Sequence, residues 1–94
     1  MNWLKLAPNP TTGSDKIMIG LQDAGADLNT FIWSGTAWSA VHTEHSAGLE
    51  NAAVEMDFDI TFETHSSNPN DAWLLWSDGA TVSRKLWDGG TSTW

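Results

Sequence analysis

The sequence predicts an all-β chain. It reads as one small domain made of two successive four-stranded antiparallel units, residues 1–41 and 53–94, joined by a polar linker, 42–52. Three observations carry this. Short apolar runs alternate with turns containing Gly, Asp, Asn or Pro, and no stretch shows a helical period. Asp15–Trp38 and Asp71–Trp94 repeat one layout over the same 24 residues: an apolar run, a turn with Gly, a second apolar run closing on Trp33 or Trp87, another turn and a final Trp. Length differences between the copies fall only in the turns, as two copies of one supersecondary unit require. Finally, the second strand of each unit is apolar on both faces.

The elements follow in order. Asn2–Ala7 is a first short strand with Trp3, Leu4 and Leu6, ended by Pro8, Pro10 and Gly13. Lys16–Gln22 is the second, and Ile17, Met18, Ile19 and Leu21 cover both of its faces. Asp23–Asp27 has turn chemistry, Leu28–Trp33 is the third strand, Ser34-Gly35-Thr36 a tight connection and Ala37–Val41 the fourth strand. His42–Ala52 is polar and poor in β-branched residues, hence a loop. In Val54–Glu63, apolar Val54, Met56, Phe58, Ile60 and Phe62 alternate with Glu55, Asp57, Asp59, Thr61 and Glu63, which defines a strand with one acidic face. Thr64–Asn70 is a loop, and Ala72–Ser77 is again apolar on both sides. Asp78-Gly79 marks a hairpin, Thr81–Trp87 the next strand, Asp88-Gly89-Gly90 a turn and Ser92–Trp94 the start of a last strand.

Composition excludes several functions. The formal charge is −8, and the only cations are Lys5, Lys16, Arg84 and Lys85. Nucleic acid is therefore not an expected partner, because phosphate binding needs basic residues. Membrane insertion is not expected either, since no apolar run approaches the roughly 20 residues of a span, and the N-terminal apolar stretch is too short for a signal peptide. There is no Cys, hence no disulfide and no thiol chemistry. This does not fix the compartment; an extracellular or cell-surface setting is favoured. Seven Trp give a chain of this size aromatic area for a core.

Sheets apolar on both faces suit blades stacked face to face, as in radially packed propellers. The segment Ser77-Asp78-Gly79-Ala80-Thr81-Val82-Ser83-Arg84-Lys85-Leu86-Trp87-Asp88 resembles the end of a WD40-type β-propeller blade, in which a turn of the form S-x-D-G precedes a strand closing on Trp-Asp. Asp88-Gly89-Gly90 through Thr93-Trp94 is similar to the Asp-box of sialidase-like propellers. Neither unit has a Gly-His dipeptide, and the repeat of about 55 residues exceeds the roughly 40–45 of WD40. The resemblance is to propeller-type repeats as a class, with two blades per chain. Two blades do not close a ring of about four to eight. The resemblance thus implies self-association, a trimer giving six blades being favoured. A contact that fails to close would give a filament, and a compact β-sandwich is the alternative architecture.

Candidate sites are few. Trp33, Trp73, Trp76 and Trp87 are expected in inter-blade packing, with Asp78 and Asp88 holding turns through backbone N–H groups. Trp3, Trp38 and Trp94 are candidate platforms for a carbohydrate, as in propeller lectins, though Trp38 and Trp94 suit packing as well. Glu55, Asp57, Asp59 and Glu63 form a stripe with alternate residues about 6.7 Å apart, within the range of inverting glycosidases and able to meet Ca²⁺. Nothing supplies the apolar setting that raises a catalytic carboxyl, so a solvated face is the stronger reading. His42, His45, Glu44 and His65 invite a zinc reading, but His-x-x-His on a strand points its rings apart. No serine-hydrolase elbow or phosphate loop occurs. The expected role is structural and self-assembling, with no catalytic residues, metal or cofactor; a carbohydrate-binding, lectin-like module is the alternative.

Overall fold

A computed structural model describes residues 3–11, 13–46, 48–49, 56–63 and 70–94. The chain is all-β, with no helix among these residues, and forms two antiparallel meanders. The first sheet contains β1 (Trp3–Pro8), β2 (Ile17–Gln22), β3 (Leu28–Trp33) and β4 (His42–His45), paired in that order. The second contains β5 (Phe58–Phe62), β6 (Ala72–Ser77) and β7 (Val82–Trp87).

Side-chain alternation decides which face of each strand is buried. Met18, Gly20 and Gln22 on β2 are buried in register with Ile32, Thr30 and Leu28 on β3. Phe58, Ile60 and Phe62 on β5 pair with Trp76, Leu74 and Ala72 on β6. These two faces pack together into one core that also takes in Ala7, Leu49 and Trp87. The sheets come closest where β5 lies over β1 and β2. There the Phe58 ring sits on the backbone of Gly20, in space that any Cβ at position 20 would overlap. At the other side, Lys85 of β7 reaches Glu44 of β4 at 3.0 Å.

Three expected elements differ in the structure. The fourth strand is His42–His45, and Ala37–Val41 contributes only an isolated bridge from Trp38 to Trp33. The reason lies in Ser39, whose hydroxyl accepts the Ile32 N–H at 3.0 Å and so takes a position a strand partner would fill. Pairing resumes only at Thr30 with His42 and Asn29 with Thr43. The register then shifts, leaving Glu44 as the extra residue of a bulge. Position 42–45 is accordingly strand, not loop. The last strand at Ser92–Trp94 is also replaced by a bridge, Asp88 with Thr93. Ser92 adopts the left-handed conformation, φ 57°, which curls the chain back into a turn. In the acidic-faced strand, pairing covers Phe58–Phe62; residues 54 and 55 lie outside the described residues, as do 50–52 of the linker and 64–69 of the following loop.

Candidate interaction faces and the tryptophan cleft

The outward face of the first sheet is as apolar as its core face. Register places Leu4 beside Leu21, Leu6 beside Ile19, and Pro8 beside Ile17. Across β2 these rows continue from Ile19 to Phe31 and from Ile17 to Trp33. Trp38 extends the last row, its ring 5.3 Å from that of Trp33. Leu4, Leu6 and Trp38 are each about half exposed. No charged residue lies on this face at the described strand positions. The second sheet shows outward Trp73, Leu75, Val82 and Leu86, and Val82 is 73% exposed. Arg84 lies over the Trp73 ring at 5.5 Å, a cation–π contact on the same face.

The other tryptophans occupy different surroundings. Trp76 is buried in the core with His45 5.6 Å away. Trp87 is buried between His42 at 5.9 Å and Trp94 at 5.5 Å. Trp73 donates its indole N–H to Glu63 at 2.5 Å. Trp3 lies at the open end of β1 and is partly exposed. Of the three candidate platforms, Trp94 is half-buried against Trp87, and Trp38 overhangs a cleft of about 240 Å³. Ile32, Ser39, His42, Trp87 and Ser92 line that cleft with it, and Trp3 is remote from these lining residues in both sequence and sheet. The signal that Trp38 and Trp87 share a cleft is absent from the sequence, because they belong to different sheets.

The polar candidates are spoken for locally. Glu44 is buried, its side chain 2% exposed, and accepts hydrogen bonds from Thr30 Oγ1 at 2.7 Å and Lys85 Nζ at 3.0 Å. Sequence reading cast it as a zinc candidate and missed this cross-sheet role. His42 and His45 pack on Trp87 and Trp76, and His65 lies outside the described residues. Among the described residues no group of three His, Cys, Asp or Glu side chains is placed to hold a metal ion. In the acidic stripe, Asp59 pairs with Lys5 at 2.6 Å, Asp57 bonds to Gln22, and Glu63 takes the Trp73 indole; Glu55 lies outside the described residues.

Asp78 and Asp88 each organise a turn. Asp88 accepts the N–H groups of Gly90 at 2.8 Å and Thr91 at 3.1 Å. Asp78 accepts those of Thr81 at 2.8 Å and Ala80 at 2.9 Å, while Gly79 supplies the left-handed φ of 89°. These donors, Thr81 first and then Ala80, hold the Asp78 carboxyl below its ordinary value of 3.8. A depressed carboxyl pKa contributes stability that is present above the unfolded value and lost as pH falls through the folded one. We expect the Ala80 and Thr81 amides to lose hydrogen-exchange protection below about pH 4, ahead of the amides of β6. In Asp78→Asn that acid dependence should vanish.

No family model, curated protein or solved structure matches this chain.

Proposed function

We propose that this chain is a non-enzymatic, self-associating β-repeat module whose two sheets act as blade-like layers. The observation that carries the reading is the second apolar face of the first sheet. A four-stranded sheet in water ordinarily keeps one polar face. Here Leu4, Leu6, Ile19, Leu21, Phe31 and Trp33 form a continuous apolar surface opposite the core. A surface of this kind on a soluble chain marks an interaction site. Stacking further sheets on it repeats the face-to-face packing by which the two sheets of one chain already meet, and a closed propeller-like ring or a filament would result. Among the described residues, Glu44, Asp57, Asp59, Glu63, Asp78, Asp88, His42 and His45 are engaged in packing, turns, hydrogen bonds and ion pairs, which favours a structural role over catalysis.

Light scattering over a range of concentrations tests this. The expected result is a defined multiple of the 10.3 kDa chain, or open-ended growth. A monomer at every concentration refutes it.

One observation favours carbohydrate binding as a second reading. The exposed Trp38 ring beside the hydroxyl-bearing cleft offers an aromatic platform of the size of a single sugar ring. Titration with monosaccharides, followed by tryptophan fluorescence, should then show a saturable change that Trp38→Ala removes.

A further inference from the structure

We infer that copies of this chain join head to tail, the outward face of the first sheet in one copy seated on the outward face of the second sheet in the next. The inference rests on the self-association proposed above and adds which surfaces meet.

Charge is the first argument. The chain carries a formal −8, so copies repel unless contact surfaces are free of surplus charge. Among the described residues, the only carboxylates within strands are Glu44 and Asp59. Glu44 is buried on Lys85. Asp59, on the outward face of the second sheet, is paired with Lys5, while Arg84 overlies the Trp73 ring whose indole N–H is accepted by Glu63, so this face sets each acid against a base. The outward face of the first sheet has no charge at its strand positions. Asp15, Asp23, Asp27, Asp71, Asp78 and Asp88 sit in connections at the strand ends, and Asp57, which precedes β5, is bonded to Gln22. The two outward faces are therefore the neutral surfaces of an acidic molecule.

Area is the second argument. Six-residue strands at about 3.3 Å per residue and about 4.8 Å between strands give the first face a plan of roughly 400 Å² and the second roughly 300 Å². A stable standard interface takes about 800 Å² from each partner. Two first-sheet faces meeting symmetrically would use about half of that and leave Val82 in water. A head-to-tail contact covers about 300 Å² of plan at each junction, the size of the smaller face, but buries both faces of every interior copy and so nearly doubles the apolar area removed per copy. It also places the Arg84 guanidinium, already over Trp73, within a contact rich in aromatic rings.

The test uses one charge on each face. Leu6→Lys marks the first face and Val82→Lys the second; both positions are exposed, and each change lowers the net negative charge, so added repulsion is not the cause of any loss. Circular dichroism verifies folding, with Leu4→Lys and Leu86→Lys as replacements at other exposed positions on the same two faces. Each variant alone should raise the concentration of half-assembly more than about tenfold, since every contact needs both faces. An equimolar mixture should recover a species at twice the 10.3 kDa chain mass and no larger one, because one intact face remains on each partner. If Val82→Lys assembles like the unmodified chain while Leu6→Lys does not, the contact is symmetric and the inference is overturned with self-association intact. A mixture that stays monomeric, or two variants that both assemble normally, overturns it as well. A monomeric unmodified chain removes the underlying proposal itself.

Discussion

Replacing Gly20 by valine should cost this protein about 3 kcal/mol or more of unfolding free energy, the upper end of what overpacking a core takes. The Phe58 ring occupies the space above the Gly20 backbone so closely that even a Cβ would overlap it, and Phe58 is itself buried. Gly20 faces inward in the middle of β2, between Met18 and Gln22. The sheet cannot yield there without breaking register with both β1 and β3. Phe58→Ala should cost about 3–5 kcal/mol by the converse route, an unfilled cavity. The double variant Gly20→Val, Phe58→Ala should lose less than the sum of the two, since valine then occupies part of the vacated volume. Urea unfolding followed by tryptophan fluorescence at one fixed protein concentration measures all three. Strict additivity would show that the two sheets do not meet at this point.

The second large effect concerns the other side of the sandwich. Lys85→Met should destabilise by about 2–3 kcal/mol, because it strands a buried carboxylate with Thr30 as its remaining donor. The figure stays below that of a fully buried pair because Lys85 is 40% exposed and partly screened. Glu44→Gln keeps an acceptor for Thr30 and removes the charge, so the double variant Glu44→Gln, Lys85→Met should regain most of the loss. If Lys85→Met changes stability by less than about 0.5 kcal/mol, the pair is an incidental surface contact.

Much of the fold was legible in the residues. The β6 boundaries, Ala72–Ser77, are those the apolar run sets, and β3 begins and ends where Leu28–Trp33 predicts. Both are short runs bounded by strong turn signals, where local chemistry and tertiary packing agree. Ala37–Val41 reads as a strand because apolar residues cluster there, yet the ladder resumes four residues after Trp38. That choice turns on the Ser39 hydroxyl and on burying Glu44 against Thr30 and Lys85. A charged residue in a polar stretch reads as loop until a partner from the other sheet is known. The cleft beneath Trp38 was hidden for the same reason, since its walls come from residues more than forty positions apart.

By itself the sequence determined the all-β class, the two meanders, the turns held by Asp78 and Asp88, and the doubly apolar strand in each unit. Turn chemistry and side-chain alternation act over a few residues, so these features are written locally. Only the tertiary structure decided which apolar face became core and which stayed outside. Alternation gives Ile17–Gln22 one face of Ile17, Ile19 and Leu21 and another of Met18, Gly20 and Gln22, and Gly20 is what makes the second, less apolar face the buried one. Its missing side chain lets Phe58 approach on that face alone, so the second sheet packs there and leaves Leu6, Ile19 and Phe31 to meet the solvent or another copy.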